Sequence, residues 1–166
     1  MDHILWYGHL LKYLNLGNFK ALSVKTMINM FYNYSSIISI DFTKFIATKV
    51  EDMLGMYAKC KLLKSMILDG FITSSAINIS SLFSECNSLK SLNLLKLNAS
   101  KVTRKNNIFY NCHSLISLDL NFDTSKVIRM DIMFYNCHSL TSLDIGYFIT
   151  SSVNNMSSKL ENYFLL

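Results

Sequence analysis

The sequence has no proline and only five glycines among its 166 residues. Flexible linkers are rich in these residue types, so no linker or domain boundary is visible. Charged residues make up 16% of the chain and hydrophobic residues 51%, which excludes an intrinsically disordered protein. No apolar run approaches the roughly 18 residues that a membrane-spanning helix needs. The first residues also lack the basic segment, apolar core and cleavage site of a secretory signal.

The net charge of +5 is mild, and the charged side chains are scattered along the chain. The densest basic group consists of Lys101, Arg104 and Lys105. A turn exposed to solvent is enough to explain it. A nucleic-acid site would need more positive charge on one face. We therefore expect no nucleic acid among the partners of this protein, and no membrane span.

A motif of 26 residues recurs along the chain. Its copies cover residues 4–29, 30–55, 56–81, 82–107, 108–132 and 133–158, and a partial seventh copy covers 159–166. A fixed period of this size indicates a stack of supersecondary units rather than a globule around one central core. The sequence therefore predicts a single repeat array over residues 1–166, without a deep catalytic cavity.

Each copy contains the pattern L-x-x-L-x-L. Positions are numbered within each repeat, with Met133 as position 1 of the sixth copy. The apolar residues of the pattern occupy positions 8, 11 and 13, which in the fifth copy are Leu115, Leu118 and Leu120. The alternation from position 11 to position 13 is typical of a short strand with one buried face. Strands from successive copies should then stack in parallel.

A second apolar pattern precedes each strand. Val127, Met130, Met133, Phe134 and Cys137 are spaced three, three, one and three residues apart. This spacing predicts a short helix or a 3-10 turn. The fold class predicted from the sequence is therefore an α/β repeat solenoid of the leucine-rich-repeat kind, with one short parallel strand and one short helix or 3-10 turn per 26-residue repeat.

Position 24 is apolar in most copies but is Lys105 in the fourth. A lysine in an apolar column normally extends its stem so that the ammonium group reaches water. We therefore expect the Lys105 ammonium to lie at the surface and the stack to be weakest there.

The fuller pattern is M-F-x-N-C-x-S-L-x-S-L-D-L, followed by F-D-T-S-x-V. It resembles the BspA-like leucine-rich repeat family of microbial surface proteins over residues 4–158. The resemblance implies a cell-surface or secreted array that binds a protein or a host-surface ligand, often in attachment. Arrays of that family normally follow a secretion signal or lipid anchor, which this sequence does not show, so a cytoplasmic location is the alternative.

Both ends of the sequence fall inside the repeat pattern. Met1 occupies position 24 of a repeat, and Lys159–Leu166 matches the start of a seventh copy. A complete solenoid needs capping units with a polar outer face. We therefore expect a fragment of a longer array, whose uncapped ends permit end-to-end self-association.

Four cysteines share position 5 of their repeats. They are Cys60, Cys86, Cys112 and Cys137. One cysteine per repeat forms a row, whereas zinc sites need pairs two to four residues apart. We expect small buried thiols, no metal and no cofactor, while disulfides between adjacent repeats stay open as an alternative.

Two histidines follow two of these cysteines in sequence, His113 after Cys112 and His138 after Cys137. Catalytic pairs usually meet across a fold, because neighbouring residues point in different directions. We therefore expect turn residues, and the sequence predicts no catalytic residue and no enzyme.

The candidate partner-binding face consists of polar residues at positions 10 and 12. It comprises Asp41, Ser65, Asn93, Ser117, Asp119, Ser142 and Asp144. Position 12 lies between two buried positions and should face outward on the strand. Repeat proteins generally bind partners through an extended face of this kind. A cation site along the aspartates is the alternative, although Ca²⁺ needs more oxygen ligands than this column supplies.

Three functions are compatible with these residues. The first is a non-enzymatic module that binds a protein or a surface, in attachment. The second is an intracellular leucine-rich repeat scaffold for protein–protein interaction, which free thiols would favour. The third is a targeting array joined to a catalytic domain outside these residues.

Overall fold

The structure, a computed structural model, describes residues 10–68, 71, 74–95, 97, 100–120 and 124–144. Five three-residue strands recur along it. They are β1 (Tyr13–Asn15), β2 (Ser39–Asp41), β3 (Ser65–Ile67), β4 (Ser91–Asn93) and β5 (Ser117–Asp119). The middle residue of each strand, at position 11, is buried or half-buried, and its neighbours are more exposed. The predicted strand with one buried face is thus confirmed in five repeats.

The strands pair in parallel, each with the strand one repeat later. The register is constant, since Leu14 lies opposite Ile40 and Leu92 lies opposite Leu118. The strands nevertheless form two sheets in the described part of the chain, one of β1, β2 and β3 and one of β4 and β5. No backbone hydrogen bond joins β3 to β4 among these residues.

A second ladder runs parallel to the strands on the side of the turns. Single bridges connect Thr26, Asp52, Asn78, Arg104 and Arg129, one from each repeat in turn. Unlike the strand ladder, this one continues from the third to the fourth repeat, where the Ile79 N–H donates to the Arg104 carbonyl at 3.1 Å. The turn side therefore holds together the two repeats that the strand side leaves unpaired.

No helix occurs among the described residues, so the helix of the fold-class prediction is not found there. The segment is instead a series of turns. Met27, Asn29, Phe31 and Asn33 donate their N–H groups to the next repeat, at 2.8–2.9 Å. The intervening amides bond three residues back, as Tyr32 does to the Asn29 carbonyl at 3.0 Å.

Left-handed backbone explains why no helix forms. Positive φ angles recur at positions 26 and 4, on Asn29, Asn33, Gly55, Lys59, Ser81, Glu85, Asn107, Asn111, Ile132 and Asn136. An α-helix needs consecutive right-handed residues, and two left-handed residues four apart in each repeat interrupt it. Asparagine and glycine adopt this conformation most readily, and they fill six of these ten positions.

The core is a set of columns that run through successive repeats. At position 2 the rings of Phe31, Tyr57, Phe83, Phe109 and Phe134 stack with centroids 5.3–5.7 Å apart and planes within 10°. All five side chains are fully buried. Each stacked pair contributes about 0.5–1.5 kcal/mol beyond its buried area. Much of the stability therefore comes from contacts between repeats rather than within them.

Lys105 is fully buried rather than extended to the surface, so that expectation was wrong. Position 24 lies inside the stack, where the preceding Met27, Met53 and Ile79 are also fully buried. The Lys105 N–H still donates to the next repeat, to the Arg129 carbonyl at 3.0 Å, so the ladder continues through this position.

Candidate functional site

The strand side carries the predicted binding face. Ser65, Asn93, Ser117 and Asp119 lie on strands and are exposed, and Asp41 is half-exposed at the end of β2. Ser142 and Asp144 are exposed in the sixth repeat, outside the five strands. The constant register places Ser91 opposite Ser117 and Asn93 opposite Asp119. Within each of the two sheets, the structure thus aligns positions 10 and 12 into two parallel rows, which are polar from β2 to β5 except at Ile67.

Position 12 also has a structural role that the sequence analysis missed. The Oδ1 atoms of Asn15 and Asp41 accept hydrogen bonds, both of 2.8 Å, from the backbone two residues later. Asn93 accepts the same bond at 3.0 Å from Leu95. These are Asx turns, which reverse the chain after a strand. An asparagine or aspartate at the end of a strand, followed by a turn, is the signal that predicts them.

The Asx turn also changes the pKa of the Asp41 carboxyl group. Hydrogen bonds from the Thr43 hydroxyl and then from the Thr43 backbone lower the pKa of Asp41 below its usual value. They favour the ionised form, because they stabilise the negative charge. Asp41 is therefore engaged in its own turn and is less available to a partner than the sequence analysis assumed.

Two other members of position 12 behave differently. Ile67 stands in this column on β3 and is 48% exposed, so the third repeat has no Asx side chain there. The Asp119 carboxylate accepts no hydrogen bond from the described residues. The Asp119 carboxylate therefore carries a negative charge and takes part in no turn among the described residues.

A depression of about 240 Å³ lies on the strand side. It is lined by Ser65 and Met66 of β3, by Ser91, Leu92 and Asn93 of β4, and by Ser117 and Asp119 of β5. Its position coincides with the break between β3 and β4. The structure therefore places four of the seven residues of the predicted face around one concave feature, which sequence reasoning did not anticipate.

The four cysteines of position 5 are free and buried. Their thiols donate to carbonyls of the preceding repeat, as Cys60 does to Phe31 at 3.1 Å and Cys112 does to Phe83 at 3.0 Å. Burial raises the pKa of Cys60 and of Cys137 to about 12, and raises the pKa of Cys112 well above its usual value. Such thiols are poor nucleophiles and poor metal ligands, because both roles need the thiolate.

His113 is exposed, whereas the Cys112 thiol points into the core. The adjacent Cys–His pair thus does not form a nucleophile and its base. The imidazoles of His113 and His138 stack at 5.6 Å, and His113 Nδ1 lies 3.0 Å from the Asn136 carbonyl oxygen. Within the described ranges, no group of three or more His, Cys, Asp or Glu residues could hold a metal ion.

In the part of the chain that the structure describes, no helix has the length and hydropathy to cross a membrane.

A family model described as Mycoplasma protein of unknown function, DUF285, matches residues 4–91 and again residues 77–164. Two adjacent matches indicate a repeat family, which is consistent with the resemblance to BspA-like repeat proteins. No curated protein and no solved structure matches the chain.

Proposed function

Because the chain belongs to the DUF285 family of Mycoplasma proteins, whose function is unknown, we propose its function from its own surface. We propose that the repeats form one solenoid of the BspA-like kind, which binds a protein partner through the strand side and acts in attachment at the cell surface. The protein is not an enzyme in this proposal. The observation that carries it is the pair of rows of exposed or half-exposed, mainly polar side chains at positions 10 and 12, held in constant register from β1 to β3 and from β4 to β5.

The physical argument rests on rigidity and repetition. Position 11 anchors each strand in the core, and the Asx turns fix the backbone that follows, so exposed side chains are held without large conformational freedom. A rigid face loses little entropy on binding. Several weak contacts along such a face add up, because each further contact becomes effectively intramolecular once the first has formed.

Binding to cells tests the proposal. The purified protein, fluorescently labelled, should bind saturably to intact host cells in flow cytometry. Ser117→Arg places a bulky cation on the strand side and should reduce binding at least about fivefold. Ser35→Arg is the matched control, because Ser35 is also exposed but lies at position 6, outside the strands. Equal effects of the two substitutions would rule out the strand side as the binding surface.

A second candidate, an intracellular scaffold that uses the same face, is favoured by the four free cysteines. Disulfides are rare in the reducing cytosol, where unpaired thiols persist. Protease treatment of intact source cells separates the two candidates. Release of the protein by protease supports attachment, whereas protection until the cells are lysed supports the scaffold.

A further inference from the structure

The break between β3 and β4 is the starting point. On either side of it the strands are joined by short backbone hydrogen bonds, from Lys64 to the Ile38 carbonyl and from Ile116 to the Lys90 carbonyl, both 2.8 Å. The equivalent bond from the Lys90 N–H to the Lys64 carbonyl is missing from the described structure. The facing edges of β3 and β4 therefore hold backbone polar groups that do not pair with one another.

The width of the break limits what can enter it. Cα atoms of β3 and β4 still lie within 8 Å of each other. An inserted strand needs about 4.8 Å on each side, or roughly 9.6 Å in total. An extended backbone does not fit between them. The occupant must be thinner, such as one side chain that reaches in from a partner.

The chemistry of the lining selects that side chain. Asp119 supplies a carboxylate, Ser91 supplies a hydroxyl, and the free edges supply backbone carbonyls. Most of these groups accept hydrogen bonds. The guanidinium of arginine has five N–H donors and no acceptor, and it pairs with a carboxylate through two parallel hydrogen bonds.

The charges around the depression favour a cation at the end where Asp119 lies. The carboxylate of Asp41 is engaged in its turn, whereas that of Asp119 is not engaged by described residues. Exposed Lys64 and Lys90 precede β3 and β4 and make the opposite end of the strands positive. A cation would therefore settle beside Asp119, away from the two lysines.

We propose that the depression between β3 and β4 binds an arginine side chain presented by a protein partner, with Asp119 as its counter-ion. This inference rests on the proposed function of the strand side and names one subsite within it. Arginine is preferred over lysine because its planar fork can reach the carboxylate and a backbone carbonyl together.

The test uses the peptide acetyl-Gly-Arg-Gly-amide as the probe, with amide chemical shifts recorded by nuclear magnetic resonance. The peptide should shift the amide signals of Ser91, Asn93 and Asp119 in a saturable way. The same peptide with citrulline, the neutral isostere of arginine, should bind at least about fivefold more weakly. Shifts of equal size with citrulline would overturn the proposal.

Asp119→Asn should weaken arginine-peptide binding by about fivefold, since it removes one charge while keeping the shape of the side chain. Its exposed side chain makes no hydrogen bond with described residues, so the far-ultraviolet circular dichroism and melting temperature should not change. Glu51→Gln is the matched control, because it removes an exposed negative charge outside the depression. Equal weakening by both substitutions would show only a general effect of net charge.

The two proposals fail differently. If host-cell binding depends on Ser117 but the arginine peptide causes no local shifts, the attachment function stands and the arginine subsite is wrong. If the peptide binds at Asp119 but no cell binding occurs, the subsite stands and the partner lies elsewhere. Absence of both kinds of binding overturns both proposals.

Discussion

Tyr57 provides the sharpest test of the packing described above. Its ring lies in the aromatic column between Phe31 and Phe83, with centroids 5.6 and 5.3 Å away. The side chain is fully buried, and its hydroxyl has no hydrogen-bond partner among the described residues. Burial also raises the pKa of this hydroxyl well above its usual value. The other four rings stacked in this column are phenylalanines.

Tyr57→Phe should therefore stabilise the protein. An unpaired buried hydroxyl costs about 1–3 kcal/mol in lost hydration, and the substitution removes that cost. Part of the gain is offset by the small space that the oxygen leaves behind. We expect a net increase of about 1 kcal/mol in the free energy of unfolding, or roughly 2–4 °C in melting temperature for a chain of this size.

The assay is reversible unfolding in urea at neutral pH, followed by circular dichroism for the wild type and the variant. Phe83→Tyr is the matched control, since it adds a hydroxyl at the next position of the same column, and it should destabilise the protein by about 1–3 kcal/mol. A Tyr57→Phe variant that is less stable than the wild type would refute the reasoning. That result would mean that the hydroxyl has a partner in solution.

Three further predictions follow from the same packing. Leu118→Asp buries an unpaired charge and should unfold the protein, whereas Asp119→Ala should leave the circular dichroism spectrum unchanged, because the two neighbouring side chains face opposite ways. Ile132→Asn should stabilise the protein by about 1 kcal/mol in thermal melting, because a β-branched residue is strained at φ +46°. Cys60 should make unfolding pH-dependent. Burial raises its pKa from an ordinary value of 9.0 to about 12 in the folded state, so the unfolded chain loses its proton first and stability falls as the pH rises above about 9. The free energy of unfolding measured in urea titrations should therefore be about 1.4 kcal/mol lower at pH 10, and Cys60→Ala should abolish this contribution.

The strand was predictable because its signal is local. Burial of position 11 between two exposed neighbours follows from alternation alone, and the period of 26 residues fixes which residues meet in adjacent strands. The same reasoning placed Asp119 and Ser117 on the exposed side. The one-per-repeat cysteines were likewise predicted to be small buried thiols, and in the structure all four are buried.

The helix was predicted wrongly because apolar spacing does not distinguish a helix from a series of tight turns. Both place residues three or four apart on one side, as for Val127, Met130 and Met133. The asparagines at positions 26 and 4, such as Asn107 and Asn111, adopt left-handed backbone and interrupt any helix. The spacing of four residues between these two asparagines was visible in the sequence and favours turns.

The binding face stays a prediction, and the structure adds a local role to two of its residues. Asp41 and Asn93 were assigned to a partner, yet both hold local turns. Local hydrogen bonding of this kind competes with any external role for the same oxygen. Repeat 6 from Ile145 onward, the partial seventh copy and the proposed free ends lie outside the described residues, so those predictions stand as they were made.

The sequence by itself determined the period, the parallel strands and the side of each strand that faces the core. These properties depend on which residue types recur at which spacing, and a repeat of constant length carries them from one copy to the next. The tertiary structure alone decided where the strand ladder breaks, between β3 and β4, while the turn ladder continues. It also decided that Lys105 is buried and that the Tyr57 hydroxyl has no hydrogen-bond partner among the described residues. Those features depend on how neighbouring repeats pack against each other, which no single repeat specifies.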